Sequence, residues 1–195
     1  MKYLFLFGAL SILILSCETY DEFAPYEVYT IKKGRHSSGL KNNQLQLEYL
    51  SFDVIFDETA IYETTDPNNQ ADVNKLFGFA DCNSNHIDNS VRFGWRWYQS
   101  ELQILGFTHT DGEINILEIA SVELNKSYRY ELYLDEERYF FKVSDPKNDV
   151  FTQGVISMPR SNEVCEVGFY YRLWPYFGGN ETAPHDINIH MRRVY

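Results

Sequence analysis

Apolar and polar residues alternate with a period of two along most of this chain. The stretch NQLQLEYLSFDVIF (residues 43–56) alternates leucine and tyrosine with glutamine and glutamate, and SVRFGWRWYQ (residues 90–99) alternates apolar residues with arginine and glycine. Side chains of a β-strand point alternately to its two faces, so this period predicts strands that bury one face. No segment shows a sustained helical period, and we expect one helical turn near residues 71–74, within a polar loop at residues 64–75.

Turn signals divide the alternating segments into antiparallel pairs. Asp111-Gly112 lies between ELQILGFTHT and EINILEIASVEL, and this dipeptide is the strongest short-range hairpin signal. An acidic turn at residues 135–137 joins SYRYELYLD to RYFFKVSD. Roughly ten strands at this spacing predict an all-β fold. We expect an antiparallel two-sheet β-sandwich of jelly-roll type, formed by residues 26–195 as one domain.

The N-terminus predicts export and attachment to lipid. Residues 3–15 form an apolar run after Lys2 that is too short to span a membrane, so residues 1–16 are interpreted as a signal peptide. The run ends in the sequence ILSC at Cys17, which resembles the lipobox of bacterial lipoproteins. The resemblance implies cleavage before Cys17 and lipidation of its sulfur, which would hold the chain to a membrane without a spanning helix. An ordinary secretory signal with an incidental cysteine is the alternative.

Charge and the segment after the signal peptide indicate where the protein works. Residues 17–25 are an acidic and aromatic tether, similar to the export signal of Bacteroidota lipoproteins. We therefore expect an outer membrane lipoprotein, on the cell surface or the periplasmic face. The full chain has a formal net charge of −11, and loss of Lys2 with the signal peptide leaves −12. That charge excludes nucleic acid as a partner and disfavours acidic glycans, unless a local basic groove exists.

Two features of the sequence could be cross-links or metal sites: a pair of cysteines and one segment rich in asparagine and aspartate. Outside the cytoplasm Cys82 and Cys165 could form a disulfide, although the sequence does not give their separation. The segment DCNSNHIDN (residues 81–89) has carboxylate and amide groups at alternate positions, as calcium loops do, but lacks the glycine and glutamate of an EF-hand. We interpret it as an Asn/Asp-rich turn, with calcium as the alternative. No histidine has zinc spacing, so no metal or cofactor is predicted.

Four stretches together resemble a group of uncharacterised Bacteroidota lipoproteins and secreted proteins. They are TIKKGRHSSG, NKLFGFAD, SVRFGWRWYQSELQILGF and YYRLWPYFGGNETAPHDINI, and the match covers most of residues 30–189. The resemblance implies a lectin-like, concanavalin-like β-sandwich in the cell envelope. It implies no particular activity.

Enzymes that share such sandwiches have motifs that can be sought in this chain. The E-x-D-x-x-E strand of laminarinase-like glycosidases does not occur in the sequence. Of the motifs of alginate-lyase-like sandwiches, only YFFK at residues 139–142 resembles the start of Y-F-K-A-G-x-Y-N-Q, and Asp145-Pro146 follows instead of its remainder. The sequence therefore favours a protein without catalytic activity.

The segment FGWRWYQ has two interpretations. Trp95 and Trp97 share one face of a strand, while Arg92, Arg96 and Tyr98 share the other. The tryptophans could form a platform for sugar rings. We favour the other interpretation, in which they fill the core together with the preceding phenylalanine, because aromatic residues dominate cores. Arg96 and Tyr98 then face outward as a candidate binding pair.

The loop LWPYFGGNETAPHD (residues 173–186) combines backbone devices with reactive side chains. Its prolines favour extended backbone, and its glycines permit a reversal of the chain between two strands. Tyr176, Glu181 and His185 are not needed for that reversal. They are candidate binding residues if the loop borders a site, and plain loop residues if it is only a corner.

These observations favour a lipid-anchored envelope β-sandwich that binds a glycan or a partner protein without catalysis. The candidate binding residues are Arg96, Tyr98, Tyr176, Glu181 and His185. A polysaccharide lyase or glycoside hydrolase with an unrecognised site is the second hypothesis, and a structural envelope component is the third. Two carboxylates about 5 to 10 Å apart would favour a hydrolase. Converging tyrosine, histidine and arginine would favour a lyase.

Overall fold

The structure of the protein, a computed structural model, describes residues 25–39, 44–45, 49–81, 83–161 and 169–194. Twelve strands in these ranges pair antiparallel into two six-stranded sheets, which pack face to face. They are β1 (Glu27–Ile31), β2 (Gln44–Leu45), β3 (Tyr49–Phe56), β4 (Asn74–Ala80), β5 (Ser90–Tyr98), β6 (Glu101–Thr110), β7 (Glu113–Val122), β8 (Tyr128–Leu134), β9 (Arg138–Asp145), β10 (Asn148–Pro159), β11 (Tyr170–Leu173) and β12 (Ile187–Val194).

Neighbouring strands within each sheet are mostly not consecutive in the first sheet and partly consecutive in the second. The first sheet has the order β1-β12-β3-β8-β9-β10, and the second has the order β2-β11-β4-β5-β6-β7. The predicted all-β, antiparallel two-sheet β-sandwich of jelly-roll type is confirmed.

The inner faces of the two sheets meet in one aromatic core. Phe93 and Trp95 of β5 are fully buried there, and Trp97 packs against the edge of the same cluster. Phe52 of β3, in the opposite sheet, meets Phe93 edge-to-face with the ring centroids 5.8 Å apart. The interpretation of these aromatic residues as core is confirmed. Because strand side chains alternate, the even-numbered residues of β5 point away from the core.

Two predicted turns join the strands as expected. Asp111 and Gly112 have φ angles of 52° and 82° and join β6 to β7, which is the backbone geometry of a type I′ hairpin turn. Between β8 and β9, the Asp135 carboxylate accepts hydrogen bonds from the backbone N–H groups of Glu137 and Arg138, at 2.9 and 2.7 Å. Both hairpin predictions are confirmed.

Three elements differ from what the periodicity predicts. The alternation marks neither β1, which pairs with β12, nor β10, which pairs with β9. The pairing of β10 shifts register near Thr152 and Gly154, and such bulges blur a period of two. In place of the one helical turn predicted near residues 71–74, the described residues form 3₁₀ turns at Glu58–Ala60 and Pro67–Ala71. Asp66 fixes the start of the second turn by accepting from the Asn68 N–H.

Several predictions fall outside the described residues. The predicted signal peptide, Cys17 and most of the predicted tether fall in residues 1–24, and Cys82 and Cys165 also lie outside. Lipid attachment, the disulfide and the division at the tether therefore stay predictions. Within the described ranges, no helix is long and apolar enough to cross a membrane.

A buried carboxylate joins three strands on the outward side of the first sheet. Asp53 of β3 is fully buried and accepts hydrogen bonds from Arg129 Nε of β8 at 2.9 Å and from Arg192 Nη2 of β12 at 2.7 Å. Both arginines lie directly opposite Asp53 in the strand register. Removing one member of such a group leaves the other charges desolvated without a counter-charge.

We expect Asp53→Asn to lower the free energy of unfolding by roughly 3 kcal/mol or more, because two guanidinium groups lose their buried counter-charge. Urea unfolding followed by tryptophan fluorescence measures the change. Glu123→Gln, which removes an exposed carboxylate paired with Lys126, is the control and should change little. Equal effects of the two substitutions would contradict the structural role assigned to Asp53.

Candidate functional site

The outward side chains of the second sheet form the surface that carries most of the candidate residues. A small apolar cluster of Val73, Leu105 and Phe107 forms the floor of this surface. We call it the outer face of the second sheet. Its members on β5 are Arg92, Gly94, Arg96 and Tyr98, and the residues opposite them on β6 are Phe107, Leu105, Gln103 and Glu101.

Arg96 and Tyr98 lie on this outer face, as the core interpretation of the tryptophans requires. The Arg96 guanidinium donates from Nε to Gln103 Oε1 at 2.7 Å and from Nη1 to the Ala71 carbonyl at 2.9 Å. It lies 4.9 Å from the centroid of the Tyr98 ring. A guanidinium held over an aromatic ring in this way offers a sugar both an apolar surface and hydrogen-bond donors.

Tyr176 from the 173–186 loop joins the same face. Its backbone exchanges two hydrogen bonds with Lys75 of β4, at 2.8 and 2.9 Å, so the two side chains point to the same side. The Tyr176 ring is 38% exposed and stacks on His36 with the centroids 5.1 Å apart. Tyr176 therefore adds an accessible aromatic ring next to the strand that borders β5.

Glu181 and His185 have different surroundings. The Glu181 carboxylate accepts hydrogen bonds from the backbone N–H groups of Thr65 and Asp66 and from Asn69 Nδ2, at 2.8 to 2.9 Å. These bonds lower the pKa of Glu181 to about 2. His185 Nε2 lies 2.9 Å from the Thr59 carbonyl oxygen. Both side chains hold neighbouring loops together, although Glu181 also lines an open depression of about 710 Å³.

Arg92 lies on the same face, although the sequence did not mark it as a candidate binding residue. It is only 7% exposed, and its Nε is buried without a hydrogen-bond acceptor. Among the described residues, no carboxylate forms an ion pair with its guanidinium. The guanidinium carbon lies 5.3 Å from the centroid of the Phe107 ring. Burial lowers the pKa of Arg92 to about 10, so the group is still charged at neutral pH.

Lys75 is a second cation on the same apolar floor. Its Nζ lies 4.5 Å from the centroid of the Phe107 ring and donates to the Val73 carbonyl at 2.8 Å. Burial, followed by the positive charge of Arg92, lowers the pKa of Lys75 to about 8. Arg92 and Lys75 thus hold two positive charges over one aromatic ring, within a protein that is strongly acidic overall.

Two histidines and a tyrosine surround these cations. His109 Nδ1 lies 3.3 Å from Ser90 Oγ, and burial together with Arg92 lowers the pKa of His109 to about 4. The backbone N–H of His86 donates to Tyr171 Oη at 2.9 Å, and His86 Nδ1 lies 3.3 Å from the same oxygen. Burial and Arg92 also lower the pKa of His86, so both imidazoles are uncharged at neutral pH. We call Arg92, Lys75, Phe107, His109, His86 and Tyr171 the Arg92 cluster.

The calcium-loop alternative depends on Asp81, whose carboxylate is already engaged. It accepts from Arg160 at 2.7 and 3.0 Å and from Tyr139 Oη at 2.6 Å, in a buried position. In the part of the chain that the structure describes, no three His, Cys, Asp or Glu side chains are grouped to hold a metal ion.

Alternation along β5 places Arg92 on the outer face, and the sequence interpretation included it there. What alternation does not show is that Lys75, Phe107 and Tyr171 come from three other strands to enclose it. Gly78 permits part of this, because a Cβ at that position would lie 2.7 Å from the Arg92 Cα. The sequence feature that could have identified Arg92 is an arginine near the centre of an otherwise apolar strand.

The fold and this face define a β-sandwich with a cationic and aromatic surface on one sheet. No protein-family model matches the chain, and no curated protein matches it. Solved structures do match its fold. The alginate lyase from Klebsiella pneumoniae has a TM-score of 0.56 and 11% identity, covering 82% of this chain and 60% of that chain.

Two further structures have comparable folds. The alginate lyase AlyC3 has a TM-score of 0.52 and 9% identity, covering 87% of this chain and 74% of that one. Xylan beta-1,4-xylosidase from Bacillus halodurans C-125 has a TM-score of 0.50 and 8% identity, covering 87% of this chain and 33% of that one. At these identities the likeness shows the fold alone. It agrees with the predicted lectin-like sandwich.

The lowered pKa of Lys75 predicts a pH-dependent contribution to stability. Below pH about 8 the lysine is charged in both states, and burial of the charge disfavours the folded one. Between pH about 8 and its ordinary value of 10.5, the unfolded chain holds the proton that the folded chain has lost. Wild-type stability should therefore rise relative to Lys75→Met as pH rises through this range.

Urea unfolding of both proteins across the range measures the difference. Lys147→Met, at an exposed lysine in the β9–β10 turn, is the matched control. A difference in the free energy of unfolding between the wild type and Lys75→Met that stays constant with pH would contradict the burial of the Lys75 charge.

Proposed function

We propose that the protein is a lipid-anchored carbohydrate-binding β-sandwich of the outer membrane, and that its ligand lies across the outer face of the second sheet. The observation that carries the proposal is the placement of aromatic rings beside guanidinium groups on adjacent strands. Tyr98 lies under Arg96, Phe107 lies under Arg92, and Tyr176 is exposed at the border. Sugars bind where apolar ring faces and a few convergent polar groups occur together.

The proposed ligand site extends the pair Arg96 and Tyr98 to Tyr176 and the Arg92 cluster. Glu181 and His185 are left out, because their polar atoms hold the loops at residues 59–69. The leading form of the proposal is binding without catalysis. A partner protein bound by the same face is the outcome to be recognised if no glycan binds.

A second candidate function, cleavage of a polysaccharide by a lyase, is favoured by one observation. Tyr171 Oη and His86 Nδ1 lie 3.3 Å apart, and both interact electrostatically with Arg92. A lyase needs a base that removes a carbon-bound proton, and a cation that stabilises the resulting negative charge. An uncharged histidine with a tyrosine and an arginine supplies both kinds of group.

Titration calorimetry against a panel of oligosaccharides tests the binding proposal. We expect Tyr98→Ala and Tyr176→Ala each to weaken binding about tenfold, or roughly 1.4 kcal/mol, because each removes an aromatic surface. Tyr133→Ala, at an exposed aromatic residue in the first sheet, is the matched control and should bind as the wild type does. Binding lost with Tyr133→Ala alone would place the site on the other sheet, and no binding at millimolar ligand would refute the proposal.

The same panel distinguishes the second candidate. If the protein is a lyase, incubation yields shorter products with a new carbon–carbon double bond, which ultraviolet absorbance detects. Tyr171→Phe would then stop product formation while binding remains. Binding with no products, at any pH tested, supports the non-catalytic form.

The anchor is supported by the lipobox-like sequence ending at Cys17. In a Gram-negative host we expect the wild-type protein in the detergent phase after phase separation, because its lipid chains partition there. Cys17→Ser should move it to the aqueous phase, whereas Cys82→Ser should leave it with the detergent. A Cys17→Ser protein that stays in the detergent phase would contradict lipid attachment at this residue.

A further inference from the structure

We infer that the outer face of the second sheet contains an anion subsite at Arg92, and that the group it binds is a carboxylate of an acidic glycan. The inference rests on the proposed glycan binding and adds the chemical class of the ligand. It also reverses the expectation from net charge, since the acidic average conceals a local group of cations.

The main evidence is the contrast between Arg92 and the other largely buried arginines. Arg160 pairs with Asp81 at 2.7 Å, and Arg129 and Arg192 both pair with Asp53. Arg92 is as buried as Arg160, at 7% and 8% exposure, yet no described residue accepts a hydrogen bond from it. A desolvated charge without a partner is unfavourable, so folded proteins keep one chiefly where a ligand completes it.

The neighbours of Arg92 set the charge of the subsite. Lys75 adds a second cation over the same ring, at 4.5 Å from the Phe107 centroid. His86 and His109 contribute hydrogen-bonding nitrogen atoms but no charge at neutral pH, because burial and Arg92 lower their pKa values. The Asp72 carboxylate acts on Lys75, and the Asp88 carboxylate acts on both histidines, so the positive charge of the subsite is partly offset and suits a singly charged group.

Geometry favours a carboxylate as that group. A guanidinium is planar and presents parallel N–H donors, which match the two oxygens of a carboxylate. Tyr171 and Tyr176 both interact electrostatically with the same guanidinium, and the exposed Tyr176 can contact the sugar ring that bears the acid. The subsite therefore fits a uronate residue within a longer chain, whose other sugars lie toward Arg96 and Tyr98.

A matched pair of ligands isolates the carboxylate. One ligand is an oligouronate, and the other is the same oligosaccharide with each carboxyl group reduced to a hydroxymethyl group. We expect calorimetry to show the acid binding at least tenfold more tightly than its reduced form. Arg92→Met should remove that difference, while Arg193→Met, which deletes an exposed cation from the first sheet, should preserve it.

Each other outcome has a defined meaning. Equal binding of the acid and its reduced form would overturn the subsite and leave the glycan-binding proposal standing. Binding of neither ligand would overturn the subsite, and the oligosaccharide panel would then decide the glycan-binding proposal. A sulfated oligosaccharide of the same length that binds more tightly than the uronate would overturn the assignment to a carboxylate.

Stability measurements separate a binding role from a structural one. Arg92→Met should unfold at no lower urea concentration than the wild type, because it removes an unpaired buried charge. Arg160→Met, which breaks a paired one, should unfold at a clearly lower concentration. Should Arg92→Met fail to fold, Arg92 is structural and the inference fails, unless Arg92→Lys folds and still loses most of the preference for the acid.

Discussion

Burial of Phe93 and Trp95 between the two sheets is the constraint on which the rest of this structure depends. Both side chains are fully buried, and Phe93 meets Phe52 from the opposite sheet. A shift of β5 by one residue would bring its arginines into this aromatic core. The packing therefore fixes the register of β5, and with it the outward position of Arg92 and Arg96. The candidate site is a consequence of how the core is filled.

Two ways of treating a buried charge occur in the same molecule. Asp53 joins three strands through two arginines, and Asp81 ties Arg160 to the core. These groups are complete within the fold, and removing one member leaves a desolvated charge. Arg92 lacks such a partner among the described residues and lies on an apolar floor that strengthens its field. Completion of this charge by a ligand is the physical basis of the proposed anion subsite.

The roles of the residues in the loop at 173–186 depend on neighbours that are distant in sequence. Gly179 has a φ of 72°, which fits the predicted reversal of the chain, but the aromatic residues of the loop do more than turn it. Phe177 is buried in the main core, and Trp174 packs against Tyr29 and Phe77. Of its three candidate binding residues, Tyr176 alone is placed beside the Arg92 cluster. Neighbours that are distant in sequence make that distinction, and they are visible only in the folded chain.

Alternation and turn chemistry by themselves determined the all-β class and the two hairpins, because these depend on residues near in sequence. Alternation also placed the tryptophans on one face of their strand, and packing of the two sheets decided that this face points inward. Alternation did not predict strand β10, because its bulges break the period of two. Tertiary structure decided which outward residues become buried and which stay unpaired. Lys75, Phe107 and Tyr171 meet Arg92 across three strands, and no local pattern records that meeting. Desolvation depends on everything that surrounds a group, so only the assembled sheet could distinguish Arg92 from the other arginines.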